Sequence, residues 1–168
     1  MRRAKGNIRV FTFKEGVLSA VAHDLQFHFE QFAITLEGEA VHGEFDLKSL
    51  SLDGPVRDGA VHPEEYDAGK RAEVEKAMHE DVLHTNKHPT ARYKGRAAPV
   101  GQGFSLKGEL ELAGKTAPLA FDVAFEGGAY RGQVEIQPSR WGVAQYKALL
   151  GAIRLKDTVR IAFELTDT

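Results

Sequence analysis

The side chains with the chemistry to act on a ligand are few, and the most suggestive is the adjacent pair His23 and Asp24. An imidazole beside a carboxylate in an apolar surround can exchange protons or hydrogen-bond a ligand head group, and the same pair can simply tie down a turn. His79, His84 and His88 form a second group. His84 and His88 are four apart, the spacing for a shared metal on one helix face, but Asn86 and Pro89 interrupt any helix there, so they read as a solvated helix end. His28 and His42 fall on polar strand faces and read as exposed. Ser139-Arg140-Trp141-Gly142 offers a guanidinium for a polar head group beside the only tryptophan, which suits either a barrel mouth or a core plug. No Gly-x-Ser-x-Gly elbow and no His-Glu-x-x-His motif occurs. Gly101-x-Gly103 and Gly127-Gly128 lack the strand-to-helix setting of a nucleotide loop and read as turns.

Composition narrows the function classes. With 22 basic and 24 acidic residues in 168, a net charge of −2 gives no electrostatic case for nucleic acid. The absence of cysteine removes disulfides, cysteine zinc sites and thiol catalysis. The basic start Met1-Arg2-Arg3 is not followed by the apolar centre of a signal peptide, and no run of eighteen apolar residues occurs, so the chain reads as cytoplasmic with no membrane insertion. Its length fits one domain, 1–168.

The elements that must position these residues are mostly strands. Phe104, Leu106, Leu110 and Leu112 alternate with polar residues. After Ala113-Gly114-Lys115-Thr116-Ala117-Pro118 the pattern resumes with Leu119, Phe121, Val123 and Phe125. Period-two alternation on both sides of a Gly/Pro connection predicts an antiparallel hairpin with one apolar face. Further strands are predicted at Ile8–Phe13, Leu25–Phe29, Phe32–Leu36, Val41–Leu47, Leu50–Leu52, Thr90–Lys94, Tyr130–Ile136 and Val159–Leu165, while 17–24 is open between strand and helical turn. The apolar parity changes between Phe29 and Phe32, which requires a bend near Gln31. One helix is predicted, about 67–83, with Val74, Ala77, Met78 and Val82 on one stripe that packs against the sheet. So many one-sided strands must fold onto a second sheet or close, and closure, which removes the edges, is preferred: the expected fold class is all-β, an antiparallel barrel of about eight strands with one inserted helix.

His-Pro-Thr-Ala-Arg-Tyr-Lys-Gly at 88–95, the Gly-x-Leu-x-Leu-x-Gly-x-Thr-x-Pro piece within 106–123, and Ser-Arg-Trp-Gly-Val with the closing strand at 139–165 resemble the successive motifs of the YceI-like family. Residues 11–25 are similar to its opening segment, although Glu15 replaces a common histidine and His23-Asp24 a common glycine. The resemblance implies a lipocalin-like barrel holding an elongated apolar ligand, a polyisoprenoid or isoprenoid quinone, without chemistry of its own and with no cofactor or metal, and it suggests a homodimer. The ligand-lining candidates are Phe104, Leu106, Leu110, Phe121 and Val123 from the hairpin, with Trp141, Tyr146 and Leu149 near one end. His23, Asp24 and Arg140 are the polar candidates. Two alternatives stay open: an enzyme using His23 and Asp24 in the cavity, and a barrel filled by its own side chains that serves as an interaction module.

Overall fold

The computed structural model describes residues 1–15, 23–148 and 153–168. Among these the strands are β1 (Arg2–Glu15), β2 (Asp24–Phe29), β3 (Phe32–Glu37), β4 (Ala40–Asp46), β5 (Leu50–Arg57) and β6 (Ala60–Val61), then β7 (Thr90–Val100), β8 (Gly103–Leu112), β9 (Lys115–Glu126), β10 (Ala129–Ile136), β11 (Lys147–Ala148) and β12 (Ile153–Asp167). Helix α1 (Ala68–Lys76) lies between β6 and β7.

Antiparallel ladders run β12-β10-β9-β8-β7-β4-β3-β1, and β1 returns to β12 from Ala4 opposite Asp167 to Thr12 opposite Val159. That ring of eight strands closes the barrel. The bend anticipated near Gln31 is a real break. Both β2 and β3 pair with β1, β2 along its later half and β3 along its start, as if one strand had been cut. The Ser49 hydroxyl accepts from the Gln31 amide at 2.9 Å and holds the cut open. A parity change at the break lets Leu25 and Phe27 before it and Ile34 and Leu36 after it all face inward.

The hairpin predicted around 113–118 forms, with Leu106 opposite Phe121 and Phe104 opposite Val123, so its apolar side chains share one face. Its connection is shorter than the spacing suggested. Only Ala113 and Gly114 turn, at φ 52° and 78°, and Lys115–Pro118 are already in β9. Two consecutive left-handed residues make the tight turn whose twist matches the strands. Pro118 is tolerated because the β9–β10 ladder is confined to Ala124–Glu126 against Ala129–Arg131, leaving the rest of that seam without strand pairing. The turn Pro138–Trp141 fills it, with Arg140 donating to the Pro118 carbonyl at 3.2 Å and the Trp141 indole N–H donating to the Leu110 carbonyl at 2.7 Å.

The predicted helix divides in two. Residues 68–76 are α-helical, with Asp67 capping the start through a 2.8 Å bond from the Lys70 amide. Ala77–Val82 then widen into a turn in which the Leu83 amide donates to the Met78 carbonyl, five residues back. His79 is no solvated terminus: its Nε2 lies 3.1 Å from the Leu50 carbonyl and its Nδ1 3.1 Å from the Thr85 hydroxyl. Likewise His28 is not a free surface imidazole, because its Nδ1 lies 2.6 Å from an Asp53 carboxylate oxygen on the neighbouring strand. Most of the 17–24 segment lies outside the described residues.

Candidate functional site: an apolar cavity

Each barrel strand hides its apolar face from water, and here those faces do not meet in the middle. They enclose a cavity of about 780 Å³. From the ladder-built side come Tyr93 on β7, Phe104, Leu106 and Leu110 on β8, Leu119, Phe121 and Val123 on β9, and Val134 on β10. The wall continues with Ile161 and Phe163 on β12, which pairs with β10, and with Ile8 and Val10 on β1 and Phe27 on β2, and Val74, Ala77, Met78 and Val82 close it from the helical segment. The wall residues of β1 run from Ala4 to Thr12, roughly 26 Å along the strand at about 3.3 Å per residue. The volume lies within the range of small-molecule sites, and the shape suits a long narrow occupant.

Local backbone chemistry makes room for the wall. The Tyr93 ring folds back over Gly95, where a Cβ would stand 2.8 Å from the Tyr93 hydroxyl, and this hydroxyl donates to the Leu119 carbonyl at 3.1 Å. Burial raises the Tyr93 pKa, so the phenol stays protonated as a donor. At the β1 start, Arg2 and Tyr130 reach the wall and both bond the Asp167 carboxylate, at 3.0 and 3.2 Å. At the helix side Tyr66, Lys70 and Glu73 supply the polar rim. Burial raises the Tyr66 pKa, with Glu65 adding to the shift. The walls between are largely hydrocarbon and aromatic, with Thr12, Gln145, Lys156 and Asp157 also reaching them, so the cavity can solvate an apolar chain.

The hairpin candidates Phe104, Leu106, Leu110, Phe121 and Val123 all line this cavity, and Tyr146 joins them from the chain that leads into β11. Leu149 lies outside the described residues. Trp141 and Arg140 stand off the wall. Trp141 is 1% exposed, packed between β8 and the turn, and the Arg140 guanidinium lies over its ring at 5.1 Å. His23 and Asp24 do not line the cavity either. The Asp24 carboxylate accepts the Lys14 amide at 2.8 Å, which ties the end of β1 to the start of β2. His23 meets the edge of Tyr66 at 6.1 Å, and burial, reinforced by Arg57 and Lys14, lowers its pKa. Among the described residues no group of three or more His, Asp or Glu side chains is placed to hold a metal.

Sequence reasoning left out the wall given by β1, β2, β12 and the helix. Their period-two and helical stripes were visible, but which stripes face one another is decided only when β1 pairs with β12.

Solved structures with this fold confirm the architecture. Residues 7–166 match the model of the YceI-like domain. The crystal structure of Burkholderia cenocepacia BcnA superposes with a TM-score of 0.66 at 17% identity, over 95% of this chain and 94% of that one. A polyisoprenoid binding domain from Saccharophagus degradans, implicated in plant cell wall breakdown, gives 0.62 at 10% identity, over 98% and 95%. The YceI protein of Campylobacter jejuni gives 0.58 at 11% identity, over 83% and 82%. No curated protein matches the chain in sequence. With a closed eight-stranded barrel, a hollow apolar interior and a domain match that runs nearly from end to end, the chain belongs to the YceI-like family.

Proposed function

We propose that the barrel binds an elongated apolar molecule, a polyisoprenoid, an isoprenoid quinone or a similar lipid, non-covalently, and carries it without altering it. The observation that bears the reading is the cavity of about 780 Å³ with its largely apolar wall running along β1 from Ala4 to Thr12. Burial supplies the affinity, at about 25 cal/mol for each Å² of apolar surface removed from water, and needs few polar contacts. The name of the Saccharophagus degradans domain, a polyisoprenoid binder of the same fold, supports the ligand class. Support for binding in place of chemistry comes from His23 and Asp24, which stand off the cavity wall with the carboxylate engaged by the Lys14 amide. The open interior speaks against a barrel filled with its own side chains.

Native mass spectrometry of freshly purified protein, followed by solvent extraction of whatever is released, tests the reading. A bound isoprenoid or other long-chain lipid is the expected result. A clean unliganded mass that persists after incubation with geranylgeraniol would overturn it.

A further inference from the structure

The cavity wall is not built the same way all round. Strand β5 pairs with β2 on one side, but on the other only Val56 and Arg57 find a strand, the two-residue β6. From Leu50 to Asp53 that outer edge carries no ladder, and the helical segment covers it instead. Three of its side chains take up the edge's backbone groups. His79 Nε2 meets the Leu50 carbonyl at 3.1 Å, Glu75 accepts the Leu52 amide at 3.0 Å, and Arg71 donates both terminal nitrogens to the Asp53 carbonyl at 2.9 and 3.0 Å. These contacts satisfy an exposed strand edge without a strand.

We propose that this seam, between β5 and helix α1, is the portal through which the ligand enters and leaves, with α1 swinging off the β5 edge while the ladder-built barrel stays closed. The inference rests on the binding reading above. Opening a strand seam breaks a run of successive backbone hydrogen bonds, whereas this seam is held by side chains that water can replace. The nine residues of α1 are too few for a stable helix alone, so its order depends on seating Val74 and, beyond it, Met78 in the wall that a ligand also contacts. The wide turn at Ala77–Val82 and the left-handed His84 at φ 49° give the helix a hinge at its C-terminal end. Among the described residues, another gap in the ladders, between β9 and β10, is a poorer route. Trp141 fills it at 1% exposure, and Asp157 braces its turn by accepting the Ser139 amide at 3.0 Å.

The absence of cysteine allows a direct test. Ser51 and Glu75 face each other across the seam, Oγ to Oε1 at 3.4 Å, and neither lines the cavity. The double variant Ser51→Cys/Glu75→Cys is bridged with dibromobimane, the intact mass confirms one bridge, and association of cis-parinaric acid, a fluorescent polyene fatty acid, is followed by stopped flow. Bridging should slow association at least about tenfold, and the unbridged double variant should bind at least as fast as wild type. Equal rates with and without the bridge would overturn the portal and leave the binding reading standing. No uptake by wild type would overturn both. Hydrogen exchange on ligand-free protein gives a second readout that needs no probe. Amides of 72–76 should exchange about 100-fold faster than those of 106–110, and equal protection would overturn the portal.

Discussion

Two walls of the same cavity are made by different physics. The β7–β8–β9 wall is a continuous ladder in which Tyr93, Leu110 and Ala117 stand opposite one another, and backbone donors and acceptors pair from strand to strand. The β5–α1 wall meets the same interior with Val74, Ala77, Met78 and Val82 but is fixed by the side chains of Arg71, Glu75 and His79. Both walls turn hydrocarbon to the cavity, the helical one with Tyr66, Lys70 and Glu73 at its rim. What separates them is how much cooperative backbone bonding must be lost to move one. Rigidity and passage can thus reside in two parts of one cavity wall.

The contrast is easiest to break at its strong side. Trp141→Ala removes a large side chain that is 1% exposed and frees the Leu110 carbonyl, so it should cost about 3–5 kcal/mol, read as a lowered urea midpoint. Val74→Ala, the matching truncation on the helical wall, should cost about 1 kcal/mol because the residue is only partly buried. A Val74 loss as large as that of Trp141 would mean that the helical wall is packed as tightly as the plug beside β8.

A finer probe acts on the edge itself. Glu75→Ala leaves the Leu52 amide without its acceptor and should cost about 1 kcal/mol, while hydrogen exchange quickens along α1 and remains unchanged in β8. Quickening in both would erase the distinction.

The smallest effect is one of pH. Burial, Arg57 and Lys14 hold the His23 pKa below its ordinary 6.5, so the folded state resists a proton that the unfolded chain accepts. This contribution is fully present above pH 6.5 and is lost as pH falls through the lowered folded value. His23→Gln should therefore lose less stability than wild type between about pH 7.5 and 5.5, by a modest margin because the ring is only partly shielded from solvent. Urea midpoints at the two pH values decide it, and an equal change in wild type and variant would remove His23 from the pH dependence.

The ladder wall was legible in the residues and the helical wall much less so. Phe104, Leu106, Leu110, Phe121 and Val123 alternate strictly, and a pleated strand with one apolar face has only one way to turn it. In the same manner the parity change between Phe29 and Phe32 announced a break. Residues whose part depends on a distant partner were harder to place. Trp141 reads equally as a mouth or a plug until Leu110, 31 positions earlier in the chain, supplies the carbonyl that takes its N–H. His79 looks solvated until the Leu50 carbonyl, 29 positions away, comes to its ring.

By itself the order of residues determined an all-β antiparallel chain, a central hairpin with one apolar face, one helix with an apolar stripe and a family resemblance. All of these rest on periodicity or on motifs read along the chain. Only the tertiary structure decided that the apolar faces stop short of one another and leave a cavity of about 780 Å³, and that a helix completes its wall. Barrel volume and seam chemistry depend on how strands far apart in sequence tilt and meet, and pattern along one strand carries no information about the distance to the strand across from it.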